Sequence, residues 1–175
     1  PYTLGAWLGD GGRLTPMIHG NDAEVGDRVE ASGYKVRRKP REEKRSGYTY
    51  VYGLTRGLRS LGLFECGSWD KFVPSMYLFN SKKCREEILR GLLDTDGYVS
   101  SNGQVTFCVV SERLARSTAW LVRSLGGVVR LARRRHALPS GVTVVGKEWN
   151  WEVHITLPAG RWFYVHRKAA RWRPP

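Results

Sequence analysis

"ILRGLLDTDG", residues 88–97, is the stretch from which the rest of the chain is read. Its apolar spacing is helical, and two aspartates, Asp94 and Asp96, close it just before Gly97. Negative charge at a helix C-terminus opposes the macrodipole, at roughly 0.3–1 kcal/mol per charge. A second run, "TLGAWLGDGG" at 3–12, has the same plan: apolar, with glycine in mid-run, ending in Asp-Gly at Asp10. One Asp-Gly is an ordinary helix stop. Two of them, each opening one half of the chain, point to a shared task.

The repetition extends outward from both runs. A strand-like "RLTPMIHG" and a helix-like "NDAEVGDRVEASGY" follow the first; "QVTFCVVS" and "SERLARSTAWLVRSLGG" follow the second. Asn21 and Ser111 suit helix N-caps, and Gly126–Gly127 suits a stop. Each half continues into a basic hairpin, "YKVRRKPREEKRSGYTYVYG" or "VVRLARRRHALPSGVTVVGKEWNWEVHITL". A closing helical segment is expected near 54–62 and again near 160–170. The expected fold is α+β: two pseudo-twofold halves of αβαββα type, close to αββαββα, spanning 1–80 and 81–175.

Small residues four apart, Gly5 and Gly9 in one motif helix and Gly91 and Thr95 in the other, clear a stripe on each. Packing through these stripes lets the backbones approach closely and brings Asp10 and Asp96 together. Two carboxylates a few ångströms apart repel by several kcal/mol even at an effective dielectric near 20. A cation between them removes that penalty, and oxygen ligands of this kind suit Mg²⁺.

The 29 Lys and Arg against 16 Asp and Glu leave a net charge of +13. That surplus points to a polyanionic partner, nucleic acid first and an anionic membrane surface second. The apolar share of 41% and the seven tryptophans argue for a folded globule with tryptophan chiefly in its core. No run approaches the ~20 apolar residues of a bilayer span, and no secretory signal precedes the first motif. An intracellular location, cytoplasm or nucleoid, is expected. Cys66, Cys84 and Cys108 are spaced for neither a disulfide framework nor zinc, and read as reduced, mostly buried thiols. The scattered histidines (His19, His136, His154, His166) form no ligand pair, and no Ser–His, Cys–His or phosphate-loop arrangement competes with the acids.

Lys35, Arg37, Arg38, Lys39, Arg41, Lys44 and Arg45 crowd the first hairpin; Arg130, Arg133, Arg134, Arg135 and Lys147 crowd the second. Alternation puts Lys35, Arg37 and Lys39 on one face, and likewise Tyr48, Tyr50 and Tyr52. Asn150, Glu152, His154 and Thr156 share the face opposite Trp149 and Trp151. β-Ribbons with such side chains suit the major groove, while many of the cations contact only phosphate.

With these motifs in place, a resemblance can be stated. "LRGLLDTDG" resembles the nine-residue signature of the LAGLIDADG homing endonucleases, and "TLGAWLGDG" is similar to the looser first copy of the intein-carried (dodecapeptide) subgroup. "DKFVPSMYL" at 70–78 resembles that subgroup's Lys-x-Ile-Pro block, which precedes the second signature as here. The resemblance implies a two-repeat monomer, with motif helices packed at the centre and antiparallel sheets forming a DNA-binding saddle. It implies Mg²⁺-dependent, site-specific hydrolysis of double-stranded DNA at a long pseudo-palindromic site, cut across the minor groove to leave short 3′ overhangs. By motif position, Asp10 and Asp96 are the metal-binding and catalytic acids. The carbonyls of Gly9 and Thr95 face the metals, and Lys71 reaches the cleavage centre. Asp94 matches only Leu8 in the first copy, which gives it a capping or local structural role. The second-half counterpart of Lys71 is Arg161 or Lys168, neither in a matching motif.

An intein's initial Cys or Ser and terminal His-Asn are both missing. The chain therefore reads as the endonuclease part alone, excised from an intein without its splicing module, or as a free-standing relative. The alternative is a catalytically inactive DNA-binding regulator or RNA maturase of the same fold. Retention of both acids weighs against it. "RKAARWRPP" at the end is either a basic tail on the DNA backbone or a linker.

Overall fold

The computed structural model describes residues 1–42, 46–135 and 149–174. Two helices, α1 (Tyr2–Asp10) and α5 (Lys82–Asp96), meet at its centre. Glycine permits the approach. A Cβ on Gly5 would stand 2.2 Å from the Ile88 carbonyl oxygen, and one on Gly91 would stand 2.3 Å from that of Tyr2. Both obstacles are backbone and cannot rotate aside. One turn further, Gly9 faces the Thr95 side chain, whose hydroxyl donates to the Gly91 carbonyl at 2.9 Å. Trp7, Leu8, Leu92 and Leu93 beside this seam are fully buried, so the crossing lies within the apolar core.

After α1 come β1 (Met17–His19), α2 (Ala23–Ala31), β2 (Val36–Lys39), β3 (Tyr48–Val51) and α3 (Leu54–Ser60). A single turn, α4 (Ser75–Leu78), leads into α5. Then follow β4 (Gly97–Val99), β5 (Val105–Val109), α6 (Glu112–Ser124), β6 (Val128–Arg135), β7 (Trp149–Thr156) and α7 (His166–Ala169). The strands form two antiparallel sheets, ordered β1-β3-β2 and β4-β5-β7-β6. α6 lays its apolar side, including Leu114, Ala115, Leu121 and Val122, against the core.

The first half follows αβαββα and the second αββαββα. Turn chemistry accounts for the extra strand. Gly103 takes a φ of 84°, and Ser100 N–H donates to the Gln104 carbonyl at 3.0 Å, closing a hairpin between β4 and β5. The matching stretch after Asp10 passes through Pro16, which has no N–H, and pairs only at an isolated Gly11–Ile18 bridge.

Several local expectations are corrected. The α2 N-cap is Asp22, while Asn21 instead accepts from the Gly47 N–H at 3.2 Å. Ser111 does cap α6, accepting from Leu114 N–H at 3.1 Å. The closing helix of the second half spans only His166–Ala169, because the backbone of Tyr164 and Val165 is bonded elsewhere. Trp7 and Trp162 are core residues, but Trp69 and Trp149 are exposed. The cysteines are free, yet none is fully buried, and Cys108 is exposed. Among the described residues no helix is long and apolar enough to cross a membrane.

Candidate active site

Asp10 and Asp96 end their helices on one side of the crossing and line a common cleft of about 400 Å³ with Ser68, Lys71, Cys108 and Asn150. Both carboxyl groups have raised pKa values, and burial is the first cause in each. Asp96 is pushed up to about 7, with the charge of Asp10 as the second cause. No hydrogen bond from a described residue relieves either acid.

Two buried lysines attend these helix ends. Lys71 Nζ donates to the carbonyls of Trp7, Gly9 and Gly11 at 3.1, 3.3 and 2.9 Å. Lys168 Nζ donates to those of Leu93, Asp94 and Thr95 at 2.9, 2.7 and 2.9 Å. These are carbonyls of the last turns and the cap, which a helix leaves without enough donors. An ammonium there also opposes the negative pole that the aspartates aggravate. The unfavourable placement of the acids is thus offset locally. Burial lowers each lysine's pKa to about 8, against the raising influence of the nearby acids.

Of the two candidates for the counterpart of Lys71, the structure brings Lys168 to the site. Arg161 is exposed, and its guanidinium lies over the Tyr164 ring at 4.8 Å. Val165, the N-cap of α7, and Lys168 within it are both buried. The Gly9 and Thr95 carbonyls each accept from a lysine, which leaves each oxygen one lone pair for another ligand.

Asp94 lies away from this chemistry. Its fully buried carboxylate accepts from Tyr2 Oη at 2.8 Å, from Tyr164 N–H at 3.1 Å and from Val165 N–H at 3.2 Å. Burial raises its pKa to about 6 in spite of these donors. The same segment is clamped by Tyr164 Oη on Glu87 at 2.7 Å, and by the Arg28 guanidinium 4.4 Å above the Tyr164 ring.

The hairpin cations divide by strand face. Arg37 pairs across from Tyr50 and Lys39 from Tyr48, and these side chains share the open face of the first sheet with Met17, His19, Tyr52 and Lys35. Arg38 points the other way and binds Asp27 and Glu30 of α2, each at 2.8 Å. In the second sheet Arg130 and Arg134 share a face with Asn150, Glu152 and His154. Arg133 and Arg135 alternate onto the opposite face, with Arg133 over the Trp149 ring at 4.9 Å. Arg38, Arg133 and Arg135 therefore lie on the sheet faces opposite to Arg37, Lys39, Arg130 and Arg134. Arg41 is exposed; Lys44, Arg45 and Lys147 lie outside the described residues.

No protein-family model matches the chain. It is 40% identical over 126 residues to the replicative DNA helicase DnaB of Mycobacterium intracellulare, a match covering 72% of this chain and 19% of the helicase. Among solved structures, I-DmoI in complex with DNA and Ca is similar at a TM-score of 0.61 and 11% identity, over 97% of this chain and 93% of that one. I-DmoI in complex with DNA and Mn gives 0.54 and 13%, over 88% and 86%. A variant set of I-DmoI, described as a homing endonuclease, gives 0.59 and 12%, over 97% and 93%. The chain has the fold of the LAGLIDADG homing endonucleases.

Proposed function

We propose that this chain is a site-specific DNA endonuclease that hydrolyses one phosphodiester bond in each strand of a duplex, using divalent cations held by Asp10 and Asp96. The observation that carries the reading is the pairing at the helix crossing. Two carboxylates without a hydrogen-bond donor among the described residues share one cleft, and each motif helix ends on a buried lysine. Among the described residues no group of three Asp, Glu, His or Cys is placed to hold a metal ion. Such a donor set is too small for a structural zinc site, but it fits a cation that keeps waters and takes substrate phosphate oxygens. Mg²⁺ is the ion we assign, with Mn²⁺ as a substitute.

A bound divalent ion supplies a more acidic water and polarises the phosphate. The protein's own part is positional and electrostatic. Asp10 and Asp96 would hold the ions, at the point where the helices meet. Lys71 and Lys168, with pKa values near 8, lie close to working pH and can stabilise developing negative charge or exchange a proton. One lysine at the end of each motif helix suits one cut per strand. The fold shared with I-DmoI, solved in complex with DNA, supports the substrate class. The helicase match, together with the dodecapeptide-type first motif, supports residence in an intein.

The two sheets present unlike faces to the two half-sites. The first offers Tyr48, Tyr50, Tyr52 and Met17 among its cations, suited to thymine methyl groups. The second offers Arg130, Arg134, Asn150, Glu152 and His154, suited to hydrogen bonding at base edges. The target is thus pseudo-palindromic in spacing while its half-sites differ in composition.

The test is cleavage of a randomised duplex library by the monomeric protein in Mg²⁺, with sequencing of the ends. A single family of sites cut in both strands is expected. Tight, selective binding without any cut would favour the regulator reading instead.

A further inference from the structure

The lysines at the two helix ends are held by different anchors. Ser111, fully buried at the N-cap of α6, donates its hydroxyl to the main-chain carbonyl of Lys71 at 2.7 Å and accepts from Leu114 N–H at 3.1 Å. Both of its hydrogen-bonding directions are therefore committed. It belongs to the second half of the chain, whereas Lys71 serves the helix of the first. Among the described residues no serine takes that role for Lys168, whose carbonyl accepts from Arg171 and Trp172 N–H. The turn leading to it is fixed by Asp94, which takes the N–H groups of Tyr164 and Val165 and is itself steadied by Tyr2 of α1. Each lysine spans from its anchored backbone to three carbonyls, so a displaced backbone carries the ammonium off its station.

We propose that Ser111 and Asp94 are the positioning residues for Lys71 and Lys168 respectively, so that each governs the cut of one DNA strand. This rests on the endonuclease reading given above. Ser111 acts from the opposite half, which ties readiness of the first cleavage centre to the folding of α6. Neither residue is an acid or base of the reaction. A misplacement of about 1 Å in such a group is enough to cost up to about a hundredfold in rate.

The experiment is single-turnover cleavage by the full chain of a duplex carrying a site recovered from the library, with the two strands labelled separately. Lys71→Met and Lys168→Met first assign a strand to each lysine. Ser111→Ala is expected to slow the Lys71 strand by about tenfold to a hundredfold and leave the other within about twofold, so that nicked duplex accumulates. Asp94→Asn is expected to nick with the opposite strand preference. Equal slowing of both strands, or of neither, overturns the proposal. A second arm needs no cleavage: acetylation of the DNA-free protein, followed by mass spectrometry. Lys71 should label faster in Ser111→Ala while Lys168 does not change; unchanged labelling of Lys71 counts against the assignment. A parent protein that cuts neither strand overturns the endonuclease reading, and the labelling arm still decides whether Ser111 holds Lys71.

Discussion

Lys71 and Lys168 reach the same kind of station from unrelated stretches of chain. Lys71 takes the carbonyls of Trp7, Gly9 and Gly11 at the end of α1, and Lys168 takes those of Leu93, Asp94 and Thr95 at the end of α5. The motif helices are related by sequence, but the segments that bring the lysines are not. Lys71 follows a long connection and precedes α4; Lys168 lies within the short α7. What recurs is the physical need: a helix end carrying an aspartate has surplus carbonyls and an adverse dipole, and an ammonium answers both.

The crossing tolerates no side chain at its closest points. Gly91→Ala would place its Cβ against the Tyr2 carbonyl and the Ala6 backbone nitrogen, with only backbone to give way. A loss of about 1–3 kcal/mol is expected from such overpacking, and more for Gly91→Leu. Denaturant melts of the variants against the parent check this; equal midpoints would contradict the close packing.

The split of hairpin cations by face gives a contrast in salt dependence. Arg37→Ala should lower the log–log slope of DNA affinity against salt by about one, as expected for each phosphate contact removed. Arg38→Ala should leave that slope unchanged, because its guanidinium is engaged by Asp27 and Glu30. Fluorescence anisotropy across a salt series reads both. A loss of slope for Arg38→Ala would place that residue on the DNA.

Thymine methyl groups should matter in one half-site only. Replacing thymine by deoxyuridine under the tyrosine-bearing sheet should weaken binding measurably, whereas the same change in the other half-site should have little effect. Competition binding with the two hybrid duplexes makes the comparison. Equal sensitivity in both halves would contradict the assignment of Tyr48, Tyr50 and Tyr52 to base methyls.

Metal-free stability should depend on pH through Asp96. Its folded pKa of about 7 lies above the ordinary 3.8, so folding favours the protonated form. The resulting stabilisation is complete below about pH 4 and is lost as pH rises through 7. The raised pKa of Asp10 acts in the same direction. Melts in chelator should therefore show the stability of Asp96→Asn, relative to the parent, increasing between pH 4 and pH 8. A constant difference would mean that the pair is not strained at neutral pH.

The central features were legible because they rest on local spacing. Glycines four apart dictate a close helix crossing, Asp-Gly marks where each motif helix ends, and alternation gives the tyrosine face of β3. What was not legible depended on distant partners. Lys168 is defined by carbonyls more than seventy positions earlier, in α5. Arg38 and Arg133 look like their neighbours until strand faces are assigned, and Arg38 is then claimed by acids of α2. The strand β4 depends on the Ser-Asn-Gly turn at Gly103, which carries no apolar periodicity of its own. Ser111 was read correctly as a cap, but its second bond, to Lys71, leaves no trace in sequence.

The most direct test is Asp96→Asn, assayed for Mg²⁺-dependent cleavage of the recovered site and melted without metal at pH 8. If the paired acids exist to hold a cation, double-strand cleavage disappears, DNA affinity is largely kept, and the variant melts at or above the parent temperature. A variant that still cuts both strands, or that melts clearly earlier than the parent, would contradict the account.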